Sequence, residues 1–149
     1  MTRKHTLLLL IPLGLGVLVA GCGDDEEEAE TSANVSAGIG GTAWILDNDS
    51  IDVEVPATME EITLAFTTDG SFAGHAGCNN YTGSYTITDD GGLTLGEPGV
   101  TRMMCEDDFM AAEGAYLAEF VQVTSYAIDG SELTLSGADG ELLTYQADE

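Results

Sequence analysis

The sequence predicts an α+β fold, mainly an antiparallel β-sheet of hairpins with one amphipathic helix packed on it. Three observations predict this. Apolar residues alternate with small or polar ones in a series of short runs, the period of strands with one face buried and one wet. Four Asp-Gly pairs, Asp69-Gly70, Asp90-Gly91, Asp129-Gly130 and Asp139-Gly140, break up those runs. Both residue types tolerate the positive φ of tight hairpins, so these pairs read as four turns. One stretch alone, EDDFMAAEGAYLAEFVQV from Glu106 to Val123, changes to a helical period.

The chain opens differently. Arg3 and Lys4 precede an apolar run from Leu7 to Val19, which is 13 residues long, against about 20 needed to span a bilayer. Pro12, Gly14 and Gly16 interrupt it. A basic start, an apolar stretch and small residues before a cysteine make a secretory signal over residues 1–21; an uncleaved anchor helix is the alternative. The sequence LVAGC, Leu18 to Cys22, closely resembles the bacterial lipobox. That resemblance implies cleavage before Cys22 and acylation of its sulfur. Several acyl chains at about 0.8 kcal/mol per buried CH₂ hold a protein firmly on a membrane without a spanning helix.

Residues 22–41 then read as the lipidated cysteine and a flexible acidic tether. The stretch GDDEEEAETSANVSAGIGG has almost nothing to bury, and its 19 residues span roughly 25 Å root-mean-square. The folded domain is expected over 42–149. Its alternating pairs and triplets are Ile62, Leu64 and Phe66; Tyr85 and Ile87; Leu93 and Leu95; Tyr126 and Ile128; Leu133 and Leu135; and Leu143 and Tyr145. The helix presents Phe109, Tyr116, Phe120 and Val123 on one stripe, with Met110, Leu117 and Val121 beside it. Glu106, Asp107 and Asp108 fall in its first turn, where the helix dipole favours negative charge.

Export sets the chemistry of the cysteines. Outside the cytoplasm thiols pair, and with Cys22 acylated only Cys78 and Cys105 remain. A disulfide between them closes a 28-residue loop, which the chain-entropy model values at roughly 3–4 kcal/mol. Two sharper readings compete with it. Cys78 is a nucleophile if His75, the last histidine after cleavage, serves as its base. Alternatively, His75, Cys78 and Cys105 form a three-ligand zinc site for a metal-dependent hydrolase. The spacing matches no strong zinc signature, and oxidation removes the thiolates in either case.

Four stretches taken together, TAWIL, GCNNYTGSY, TRMMC and the amphipathic helix that follows, resemble the META domain family, which includes HslJ-like bacterial lipoproteins. The resemblance runs from about Thr42 to Gln146. Its matching positions are Trp44, Gly77, Cys78, Asn79, Tyr81, Gly83, Tyr85, Thr101, Met103 and Cys105, with Arg102 inside the same motif. It implies a compact, mostly β domain that is exported and often lipid-anchored, tied to stress responses and not to a reaction. No catalytic residues, cofactor or metal site come with it.

Charge narrows the partners. The whole chain carries 27 acidic against 3 basic residues, a net charge of −24, and the chain from Cys22 onward keeps all 27 acids but only Arg102, a net of −26. Such a field excludes nucleic acid and allows basic proteins, cationic peptides and metal ions. Solubility in high salt explains the same composition. The run Asp47 to Asp52 fails as an EF-hand because Ile51 and Asp52 stand where a ligand and the turn glycine belong. A looser cation site from Asp47, Asp49, Asp52 and Glu54, within the acidic loop Asp47 to Glu61, is the remaining option there. Arg102 is expected in an ion-pair network, and Asn79 and Asn80 are expected to bond their own backbone. No pair of carboxylates stands out for glycoside hydrolysis, and Trp44, Tyr81, Tyr85, Tyr116 and Tyr126 read as core or rim. The reading is therefore a non-enzymatic, monomeric protein held by acylated Cys22. Gly23 is not the aspartate of inner-membrane retention, which favours the periplasmic face of the outer membrane, or else the outer face of the cell membrane.

Overall fold

A computed structural model describes residues 39–148. The leader, Cys22 and the acidic run lie outside the described residues. The strands are β1 (Ala43–Leu46), β2 (Thr63–Phe66), β3 (Ser71–His75), β4 (Asn80–Ile87), β5 (Leu93–Leu95), β6 (Gly99–Val100), β7 (Ser125–Asp129), β8 (Glu132–Gly137) and β9 (Gly140–Ala147); the helix, α1, is Asp107–Phe120. The fold is α+β, as the periodicities predict.

Every strand ladder is antiparallel. The strand order is β5-β4-β3-β2-β1-β9-β8-β7, with β6 also pairing β4. Six of the ladders join sequence neighbours. All four Asp-Gly pairs sit in the tight turns β2–β3, β4–β5, β7–β8 and β8–β9, with φ between +60° and +132° at the glycines. Two ladders are not local. β1 takes β9 as its second partner, Leu46 opposite Tyr145, which ties the start of the domain to its end. β6 lies against the first half of β4, Tyr81 opposite Val100, while β5 takes the second half. The sheet curls until its two outer strands touch: Gly92 bridges Ser125, and the Leu93 N–H donates to the Thr124 carbonyl.

Most of the expected alternating residues face inward, with Ile87, Leu95, Tyr126 and Ile128 only partly buried against the core. Trp44, Leu46, Leu64, Phe66, Phe72, Tyr81, Tyr85, Leu93, Leu133, Leu135, Leu143 and Tyr145 are buried in one core. Ile39 is also fully buried and Gly41 N–H donates to Phe66 O, so packing begins ahead of Thr42. Gly83 lies on the inward face because nothing larger fits there. A Cβ at that position would stand 2.3 Å from the Phe72 ring.

The helix buries Tyr116 and Phe120 of its expected stripe and departs from that stripe elsewhere. Its buried residues are Ala112, Glu113, Tyr116 and Phe120; Phe109 and Met110 are half-buried and Val121 is exposed. Val123 is buried, but lies past the helix end. The reason is the inner surface that the helix meets. Tyr116 and Phe120 insert among Phe72 and Tyr81 edge-on at centroid distances of 5.2–5.7 Å, which brings the Glu113 face inward and leaves the first turn exposed or half-buried.

Candidate functional site

The motif residues converge where the β3–β4 loop, the segment 101–105 and α1 meet. Gly77 shapes the loop: its φ is +98°, and the Met59 side chain lies within 2.7 Å of where a Cβ would be, so any other residue is both strained and crowded. The turn that follows presents Cys78 and Asn79. Cys78 is joined to Cys105 with Cα atoms 6.1 Å apart, fixing the residue just before the helix to this loop.

Asn79 is the hub. Its side-chain oxygen accepts from the Met103 N–H at 2.6 Å and from the Thr101 hydroxyl at 2.9 Å. Its amide nitrogen donates to Glu113 Oε1 at 2.9 Å and to the Met103 carbonyl at 3.4 Å. The Asn79 backbone N–H donates to Glu113 Oε2 at 2.7 Å. Both carboxylate oxygens of Glu113, which is only 5% exposed, are thus engaged by one residue. The Thr101 hydroxyl in turn accepts from Asn80 N–H. Asn79 therefore bonds a segment more than twenty residues away, and not its own backbone as expected from the sequence.

Below this hub runs a chain of buried hydroxyls. Tyr81 donates to the Thr63 carbonyl at 2.7 Å, lies 2.5 Å from the Tyr116 hydroxyl, and Tyr145 donates to Tyr116 at 3.0 Å. Since the Tyr81 proton goes to Thr63, Tyr116 donates to Tyr81, and the chain runs one way. Burial, reinforced by the neighbouring tyrosines, holds all three phenols well above their ordinary pKa. The Trp44 indole N–H is buried and has no hydrogen-bond partner among the described residues.

Several expected sites take another form. Cys78 and Cys105 share a disulfide, so neither supplies a thiolate to a substrate or to zinc. His75 is turned away from them, its Nδ1 accepting from Gly77 N–H and its Nε2 3.3 Å from Glu60. Asp47 caps a short 3-10 turn through Asp49 N–H, and Ile51 and Val53 anchor that loop in the core. Among the described residues no three His, Cys, Asp or Glu side chains are grouped to hold a metal ion. Arg102 is exposed and makes no ion pair among the described residues. Its flanking residues Thr101 and Met103 are held by Asn79, which leaves the Arg102 side chain exposed to solvent.

Sequence reasoning missed Glu113. The signal was present, because Glu113 sits four residues after Phe109, three before Tyr116 and seven before Phe120, on the line of the apolar stripe. Beside it a groove opens, lined by Pro98, Val100, Met103, Met104 and Met110, with Asn79, Thr101, Arg102 and Glu113 completing it. Among the described residues no helix is long and apolar enough to cross a membrane.

Comparison with known proteins agrees with this arrangement. A family model described as META domain matches residues 37–149. A protein from Burkholderia xenovorans, solved by NMR, is 28% identical with a TM-score of 0.60, over 87% of this chain and 99% of that one. Another protein solved by NMR, 19% identical with a TM-score of 0.55 over 74% of this chain and 92% of its own, has the same fold. No curated protein matches the chain.

Proposed function

Because the chain belongs to the META domain family, we propose that it is an exported, lipid-anchored envelope protein whose domain supports stress tolerance by binding or structural work and not by catalysis. One observation carries this reading. The polar groups of the motif are spent on one another: Asn79 is saturated by Thr101, Met103 and Glu113, and the two sulfurs are bonded together. A catalytic set needs a nucleophile or base left available to substrate, whereas this set assembles a rigid scaffold. The leader and LVAGC support the anchor at Cys22, and Gly23 favours the periplasmic face of the outer membrane or, in another envelope, the outer face of the cell membrane.

The test is the intact mass of protein recovered from membranes, alongside fractionation of a Cys22→Ser variant. The expected product begins at an acylated Cys22, lacks residues 1–21 and has no alkylatable thiol, while the variant leaves the membrane. Recovery of unprocessed wild-type chain in the soluble fraction overturns the anchor.

A second reading is favoured by charge. Arg102 is the only Lys or Arg among residues 39–148, so the domain suits capture of a basic envelope protein or cationic peptide, for instance as an inhibitor of a cationic hydrolase. Retention of basic envelope proteins at low salt and their loss at high salt is the expected outcome. No retention at low salt ends this reading.

A further inference from the structure

Four methionines follow Met1, and three of them, Met103, Met104 and Met110, line the one groove beside the Asn79 hub. Met104 is 91% exposed and Met103 52% exposed, so neither is there to fill the core. Their backbone is nevertheless tightly held. Met103 is bonded through both its N–H and its carbonyl to the Asn79 side chain, and Cys105, the next residue but one, is bonded to Cys78. Met110 stands in the first turn of α1, directly after that bridge. Two fixed elements thus bring three residues with long, unbranched thioether side chains to the lining of one groove, and such side chains have the rotamer freedom to close around a guest.

We propose that this groove binds a soft monovalent metal ion, Cu(I) or its analogue Ag(I), through the thioether sulfurs of Met103, Met104 and Met110. Soft sulfur donors select Cu(I) over the hard cations that carboxylates prefer. Three neutral donors leave the ion's charge in place, and the surrounding acidic surface favours a cation over a neutral guest. Glu113 at the groove adds negative charge without leaving Asn79. Arg102 lines the same groove and opposes the ion, which yields a prediction of its own. The site does not depend on the membrane anchor.

The experiment titrates Cu(I) against a chromogenic bicinchoninate chelator, and Ag(I) in nitrate buffer, using disulfide-intact protein shown to contain no free thiol. One equivalent of metal is expected to bind. Each single Met→Leu change at 103, 104 or 110 should weaken binding by about tenfold or more, and the triple variant should not compete with the chelator. Leucine keeps the side-chain volume, and the thermal midpoint of each variant reports whether the fold is intact. Arg102→Gln should tighten binding by about fivefold. In wild-type protein carrying isotope-labelled methionine methyls, the resonances of Met103, Met104 and Met110 should move with metal. That of Met59, packed against Gly77 away from the groove, should not. Failure of the wild type to compete for Cu(I), undiminished binding by the triple variant, or equal movement of the Met59 methyl overturns the proposal.

Discussion

Asn79 makes more of the motif's hydrogen bonds than any other residue in it, and its partners include the buried carboxylate of Glu113 and both backbone groups of Met103. Asn79→Ala leaves the Met103 N–H and one oxygen of Glu113 without their partner, and unsatisfied buried groups of this kind cost about 1–3 kcal/mol each. The variant should lose about 3 kcal/mol in urea unfolding, with the m-value unchanged. Glu113→Gln turns one acceptor into a donor facing the Asn79 donors, and should lose about 1–3 kcal/mol in the same measurement. The buried tyrosines set the alkaline limit. Their folded pKa values lie above the ordinary value of 10.0, so their contribution is fully present below pH 10 and is lost as pH rises above it. In an absorbance titration Tyr81, Tyr116 and Tyr145 should stay protonated past the ordinary range and ionise together as the fold opens; their titration ahead of unfolding would contradict the hydroxyl chain. The pairing of Cys78 with Cys105 was legible from the expectation of export and a count of sulfurs. The hub was not, because the partners of Asn79 lie 22 to 34 residues away, and one sequence carries no sign of which distant group an amide will meet.

At the level of elements, the turns were the most legible feature, since a positive φ is a local demand that glycine meets locally. The β2–β3 turn adds a carboxylate: Asp69 accepts from Ser71 and Thr67 hydroxyls, Ser71 first, which holds its pKa below the usual range. Stability from that turn is present above the ordinary carboxylate range and fades as pH falls through the lowered value. β6 and the β1–β9 ladder were not legible, because a two-residue strand has no periodicity and a ladder between chain ends has no local signature. The helix was found by its period and, through Tyr116 and Phe120, by its inward face, but the burial of Glu113 on that face and the exposure of Val121 were not foreseen. Within it, Gly114 is exposed with nothing within 4 Å of an added Cβ. Gly114→Ala should therefore stabilise the domain by about 0.5–1 kcal/mol, seen as a raised midpoint in thermal unfolding. Gly83→Ala, whose added methyl meets the Phe72 ring, should do the opposite by about 1–3 kcal/mol.

For the molecule as a whole, charge is the dominant global term. With Arg102 alone against 20 acids among residues 39–148, the folded domain repels itself, and the range of that repulsion shrinks from about 8 Å at physiological ionic strength to about 3 Å at 1 M salt. The melting temperature should rise with sodium chloride; a flat or falling curve would remove self-repulsion as a major term. Composition gave this property directly, whereas the closure of the sheet depended on contacts between Gly92 and Ser125, 33 positions apart. That closure has a consequence for life in a crowd. A flat sheet presents two unsatisfied rims on which neighbouring copies can zip together, the route by which packed β proteins become fibres. Here the outermost strands are brought together at Gly92 and Ser125, so copies standing shoulder to shoulder find little open backbone to grip, and like charge keeps them apart.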